Sequence, residues 1–244
     1  MDWHERGSAH ADAPMLRATF APYFGPTDAT FEIPFAGLQR AADGREVPAL
    51  RWADISECMS GRPSAHTAPA AGLSLLNNCK YGHQAHGNTL GLTLVRASYE
   101  PDVNPDEGLH RFTYALYPHA GDWREAGTER QAAGLNQPLL AVVTDGHRGD
   151  LRPGQPGITC DAPHAIISAL KLAEDQPAGG DAVIVRVYES HGRAGEATLR
   201  AAWPIRDAAE VNLIEQPEAP LAQDDRGVVL PLRAHEIKTT RLLL

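Results

Sequence analysis

The chain has 244 residues, a formal net charge of −9, and 43% hydrophobic against 22% charged residues, a balance that builds a core and excludes wholesale disorder. An acidic surface repels phosphate backbones and anionic bilayers, so nucleic acid and membranes are disfavoured as partners while neutral and cationic ligands stay open. No apolar run nears the roughly 20 residues that cross a bilayer, and the opening "MDWHERGSAHADAPM" has no apolar signal-peptide centre, so the expected location is the cytoplasm.

Along the chain, 22 glycines and 19 prolines separate short runs rich in Val, Leu, Thr and Tyr, the punctuation of an all-β architecture. "DATFEIPFAG" sets Thr30 and Glu32 against Phe31, Ile33 and Phe35 and predicts a strand. "MSGRPSAHTAPAAG" reads as a surface insertion. From Ser74 to Ser98, "SLLNNCKYGHQAHGNTLGLTLVRAS" predicts a strand, a polar turn and a strand. Leu90, Leu92 and Leu94 share one face of the second strand, and Gly91 inside it signals a bulge or a close approach. "DWREAGTERQAAGLNQP" predicts one short helix, stopped by Gly134 and Asn136 ahead of Pro138.

The loop-rich "TDGHRGDLRPGQPG", Thr144 to Gly157, is built of charges, glycines and prolines. It predicts a boundary, with one domain over 1–157 and a second over 158–244. In "HAIISALKLAED", Ile166, Leu170 and Leu172 fit either period; a hairpin arm leading to the strand "DAVIVRVYES" is the preferred reading. The tail "GVVLPLRAHEIKTTRLLL" alternates again, with Pro231 tolerable only at a sheet edge or a bulge.

Candidate chemistry is sparse. Cys58, Cys79 and Cys160 are too widely spaced for a zinc ribbon and read as reduced, mostly buried thiols. His83, His86 and Cys79 suggest a soft-metal site but lack a fourth ligand, so the histidines read as incidental members of a surface loop. "DGHRGD" and "PDVNPDEG" miss the order of a calcium loop and read as solvated turns. "DWREAGTER" would place opposite charges on one helix face. "HEIKT" lacks the second histidine of a helical zinc motif. No GxSxG, HExxH or glycine-rich phosphate loop occurs.

Taken in order, "DWHERG", "WADISE", "SLLNNCKYGH", "FTYALYPHAGDWREAG", "LNQPLLA", "KLAED", "VIVRVYESHG" and "HEIKTTRL" resemble the C-terminal region of the glycoside hydrolase family 38 α-mannosidases of the cytosolic and bacterial type. The resemblance implies a galactose-mutarotase-like supersandwich followed by a smaller β-sandwich. It also implies a seven-stranded α/β barrel outside this chain that carries the zinc, the aspartate nucleophile and the acid/base, with a helical domain after it. No cofactor is then expected in this chain, since zinc belongs to the absent catalytic domain, and the chain alone should not hydrolyse glycosides. "MDWHERG" looks like the middle of a family strand, so Met1 opens inside what is normally a continuous protein.

The expected partners are the catalytic barrel and helical domain of the same enzyme and a mannose-containing glycan, with homo-oligomers forming through surface those domains would cover. An arginine of this β region lies near the sugar in the family, and Arg96 is its nearest positional match; Lys80 and Tyr81 of the polar turn are further substrate-binding candidates. Asn78 stands where the family commonly has aspartate, which keeps hydrogen bonding and loses charge. Two rival functions remain. A free-standing carbohydrate-binding module would use an exposed aromatic such as Trp123 or Tyr81. A mutarotase-like epimerase would need a carboxylate and a histidine together, for which His119 with Asp122 is the nearest pair.

Overall fold

A computed structural model describes all residues except 6, 8–12, 24, 26, 58–69, 103, 147, 150, 178–179 and 225. Cys58 and most of the expected insertion lie outside the described residues. The chain divides into two compact units, Met1–Leu139 and Leu140–Leu244. The division falls ahead of the loop-rich Thr144–Gly157 segment; the described residues from Leu140 to Gly157 contain no strand or helix, and regular structure in the second unit begins at 158.

The first unit carries β1 (Asp2–Trp3), β2 (Met15–Phe20), β3 (Thr27–Ile33), β4 (Ala36–Arg40), β5 (Asp43–Pro48), β6 (Trp52–Glu57), β7 (Ala71–Asn77), β8 (Gly82–His86), β9 (Thr89–Arg96), β10 (Gly108–Leu109) and β11 (Tyr114–Ala120). Two helices follow, α1 (Trp123–Ala126) and α2 (Thr128–Asn136). A five-stranded sheet, β11-β7-β6-β3-β4, faces a four-stranded one, β2-β9-β8-β5. Phe31, Ile55 and Leu75 from the first meet Leu90 and Leu92 from the second, all 1% exposed or less. Each such burial contributes about 1.5–3 kcal/mol.

Thr30 and Glu32, on the face of β3 opposite Phe31, are buried as well. Arg51 covers Glu32, and the helical pair packs on β6, β7 and β11 of the same sheet. Trp52 and Trp123 lie with ring centroids 4.9 Å apart, packed with Leu76 and Ala132. Gly37 admits this approach, because a Cβ there would come within 3.0 Å of the Trp123 ring. Phe35, expected to extend β3, instead occupies a two-residue turn after Pro34 with φ of 63°.

One helix was expected where two occur. Asp122 caps α1, accepting from Arg124 N at 2.9 Å and Glu125 N at 3.0 Å, and the Glu125 carboxylate accepts from Asp122 N to complete a capping box. Gly127, with φ of 63°, ends α1 in a left-handed cap before α2 begins. The charge pattern therefore serves capping more than pairing along a face.

The second unit carries β12 (Ile158–Cys160), β13 (Ala165–Leu172), β14 (Ala182–Glu189), β15 (Gly195–Ala201), β16 (Asp207–Val211), β17 (Pro217–Pro220), β18 (Gly227–Leu232) and β19 (Ile237–Leu243). A three-stranded sheet, β12-β15-β18, and a five-stranded one, β13-β14-β19-β16-β17, enclose Ala165, Val185, Val187, Leu199, Val228, Leu230 and Leu242. β13 pairs with β14 as the expected hairpin arm. Pro231 sits on the edge strand β18, where no ladder donor is lost. All named strand pairs are antiparallel. The chain is all-β, organised as two β-sandwich units.

Candidate functional site

The polar stretch between β7 and β8 is built around Asn77, which is 1% exposed. Its Oδ1 accepts from Cys79 N at 3.1 Å and Lys80 N at 2.6 Å, the side-chain-to-backbone pattern that makes asparagine a turn former. Its Nδ2 donates to Leu50 O at 3.0 Å and lies 3.3 Å from His83 Nε2. From the other side, Asn136 at the end of α2 donates to Asn77 O at 3.0 Å. Strand, helix and turn are thereby tied through two carboxamides, those of Asn77 and Asn136.

His83 was expected in a surface loop. It lies in β8 and is 0% exposed. Burial pushes its pKa down to about 4, against the smaller raising effects of the Tyr81 carbonyl and the Glu46 charge. A neutral ring fits its contacts: Nε2 accepts from Asn77 while Nδ1–H donates to Tyr81 O at 3.3 Å. His86, three residues on, points to the opposite face of the strand and is exposed. Among the described residues no group of three or more His, Cys, Asp or Glu side chains is placed to hold a metal ion. Cys79 is exposed and Cys160 half-buried, contrary to the expected buried thiols.

The turn borders a cleft of about 180 Å3 lined by Leu50, Arg51, the 77–81 segment and Asn136. Tyr81 is 61% exposed. Lys80 Nζ stands 5.2 Å from the centroid of the Phe112 ring, a cation–π contact. Asn78 Oδ1 accepts from Thr113 N at 2.9 Å, so an amide suffices there and Lys80 leans on an aromatic face. Arg51 grips the buried Glu32 carboxylate, with Nε 3.0 Å from Oε1. Arg96 is exposed at the end of β9, opposite Met15, and does not line the cleft.

Such a lining offers amides, a phenol and cations, and no carboxylate. It suits a hydroxyl-rich ligand and lacks the pair of carboxyl groups, about 5–5.5 Å apart, that a retaining glycosidase requires. Sequence reasoning had named Lys80 and Tyr81 and missed Asn77, Asn136 and Arg51. A turn-forming asparagine just before "NCKYG" was the available signal for Asn77; the other two come from distant segments.

A second polar group is buried between the five-stranded sheet and the helices. Asp54 accepts from Ser56 Oγ at 2.5 Å, Ser74 Oγ at 2.7 Å and His119 Nε2 at 2.8 Å. Ser74 Oγ also lies 2.7 Å from Thr128 Oγ1 and 3.2 Å from His119 Nε2. Burial lowers the pKa of His119, but the hydrogen bond and charge of Asp54 outweigh it and hold the ring above its usual range. Serine and aspartate approach the same ring nitrogen, so the histidine cannot pass a serine proton on as in a hydrolase triad. The expected His119–Asp122 pairing is replaced by His119–Asp54, with Asp122 occupied as a helix cap. Trp123, the other suggested sugar platform, is 2% exposed and serves the core.

Residues 1–104 match the glycosyl hydrolases family 38 C-terminal domain, and residues 164–240 match the glycosyl hydrolases family 38 C-terminal beta sandwich domain. Alpha-mannosidase 2C1 of Mus musculus is 34% identical over 99% of this chain and 22% of its own length. Alpha-mannosidase G of Dictyostelium discoideum is 28% identical over 100% of the chain and 22% of its own length. A solved protein in glycosyl hydrolase family 38 from Enterococcus faecalis shares the fold with a TM-score of 0.66 at 20% identity, over 93% of this chain and 26% of that one. The chain thus spans 22% of the length of these two curated relatives. Matched in order by the two C-terminal domains of one family, it belongs to the C-terminal β region of the glycosyl hydrolases of family 38.

Proposed function

We propose that this chain is the non-catalytic C-terminal region of an α-mannosidase, bracing a catalytic barrel and helical domain and lending the Asn77–Tyr81 turn to the rim of a mannoside-binding cleft. The observation that carries the reading is the turn itself. Its backbone is held by Asn77 and Asn136 while Tyr81 stays 61% exposed, so a rigid frame presents an aromatic face and a cation. The buried carboxylates nearest in the fold, Glu32 and Asp54, are engaged by Arg51 and by serine and histidine, which suits a supporting role. Tyr81 stacks on a pyranose ring, Lys80 donates to its hydroxyls, and Arg96 meets the glycan from the neighbouring strand end.

Two measurements test this. The purified chain is expected to leave an aryl α-mannoside intact with or without added zinc; turnover that survives repurification overturns the non-catalytic reading. Titration with α-linked mannobiose is expected to shift Tyr81 and Lys80 amide resonances saturably, and Tyr81→Ala to weaken binding about tenfold, the loss of one aromatic contact. Shifts confined to other parts of the first unit would remove the turn from the cleft.

A further inference from the structure

Trp203 is the exposed tryptophan of the second unit, and nothing so far gives it a task. It follows β15, is 38% exposed, and rests on Gly157, where a Cβ would come within 3.2 Å of its ring. The absence of a side chain at Gly157 lets the outer edge of the indole approach the backbone there. Trp203 and Pro204 form the wall between two clefts. One, of about 830 Å3, is lined chiefly by apolar side chains, Leu170, Leu172 and Val183 among them. The other, of about 810 Å3, is lined by Arg152, Gln155 and Arg226.

The second cleft is preorganised. Gln155 N donates to Arg152 O at 3.0 Å, and the Gln155 side chain accepts from Arg152 N at 3.2 Å, closing a turn through Gly154 at φ of 75°. Ala202 N donates to Gly157 O at 2.8 Å and Ala201 N to Arg226 O at 2.9 Å. Asp224 Oδ1 accepts from Arg226 N at 2.9 Å. Three separate segments are thus joined through backbone groups, with the arginine side chains left projecting. Neither guanidinium bonds another group among the described residues, although the chain as a whole carries a charge of −9.

An aromatic face beside two guanidinium groups that have no bonded partner among the described residues, and a carboxamide, is a recognition chemistry. The indole takes the apolar face of a sugar ring, and arginine forks take a carboxylate or phosphate through paired hydrogen bonds. We propose that the second unit carries a saccharide site on Trp203, selective for a pyranose that bears an anionic substituent. It is separate from the Asn77–Tyr81 turn and stands or falls without it.

Titration of the chain followed at the Trp203 indole N–H resonance tests the assignment, with mannose 6-phosphate, glucuronate, methyl α-mannoside and inorganic phosphate as probes. Saturation by mannose 6-phosphate or glucuronate supports the site, and the tighter of the two identifies the substituent. The neutral mannoside is expected to bind about tenfold more weakly, the loss of a charge-assisted contact. Arg152→Gln combined with Arg226→Gln, both at exposed positions, is expected to erase that preference while leaving the spectrum folded. Followed instead at the backbone amide resonances of Gln155 and Ala202, which border the cleft, Trp203→Leu is expected to remove binding of all three sugars. Three results overturn the proposal: no sugar saturates, the neutral mannoside binds as well as the charged ones, or inorganic phosphate equals mannose 6-phosphate and is unaffected by Trp203→Leu.

Discussion

Asp54 in the first unit and Glu189 in the second are both buried carboxylates, and they solve the desolvation problem differently. In the first, Asp54, 1% exposed, is held by side chains: two serines and a histidine. In the second, Glu189, 0% exposed, is held by backbone. Its oxygens accept from the amides of His191 at 2.8 Å, Gly192 at 2.9 Å, Arg193 at 3.1 Å and His235 at 2.9 Å. Backbone donors cannot titrate, and they gather two turns, 190–194 between β14 and β15 and 233–236 between β18 and β19, that carry the chain from one sheet of the unit to the other. Side-chain donors link β6, β7 and β11 across one sheet and, through Ser74, reach α2 in the layer above. The second arrangement stiffens loops through main-chain donors, whereas the first makes the seating of the helices on the sheet depend on a proton.

Breaking Glu189 should have the largest effect. Glu189→Ala takes the shared acceptor from four amide donors, of which His191 is buried, a cost of about 4 kcal/mol. Hydrogen exchange should then speed up at residues 191–193 and 235, and a change below about 1 kcal/mol would show that water replaces the carboxylate.

The first unit should be the pH-sensitive one. His83 has a folded pKa of about 4 against an ordinary value of 6.5, so the unfolded chain binds more protons between these values. Stability is therefore present above about pH 6.5 and falls as pH drops towards 4, by about 3 kcal/mol. Denaturant unfolding of the first unit at several pH values measures this loss, and a flat profile between pH 4 and 6.5 would contradict a neutral buried ring.

His119 works in the opposite sense. Its raised pKa means that its contribution is complete below the ordinary histidine value and is lost as pH rises through the folded value. Asp54→Asn should cost about 2 kcal/mol at neutral pH and abolish this second dependence, which the H119Q background would also lack. If the variant keeps the dependence, the proton resides elsewhere. The smallest effect is expected of Ser56→Ala, which removes one of the three donors to Asp54 at a cost of about 1 kcal/mol; thermal melting resolves it, and no shift would mean that the remaining serine and histidine satisfy the carboxylate alone.

Much of the strand framework was legible because a strand's alternation is local. β14 and β9 were read from their own residues, and Pro231 was correctly restricted to an edge. The helical segment was placed but its break at Gly127 was missed, since "EAGTE" reads as a tolerable glycine inside a helix unless the capping box at Asp122 is recognised first. Of the candidate site, Lys80 and Tyr81 were visible as a polar turn between apolar strands. Asn136 was read only as a helix stop, though its amide also anchors the turn 59 positions away.

What the sequence determined by itself was local: the periodicity of the strands, the chemistry of the turns, and an ordered set of segments specific enough to indicate the family. What only the tertiary structure decided was which faces are covered and which groups meet. A helix pair laid on the second face of a sheet turned Trp123 from a sugar platform into core. Packing likewise gave His119 to Asp54 in place of Asp122, and sealed His83 as a neutral ring. Burial and partnership depend on residues far apart in the chain, and a single sequence carries no local signal for which of them will arrive.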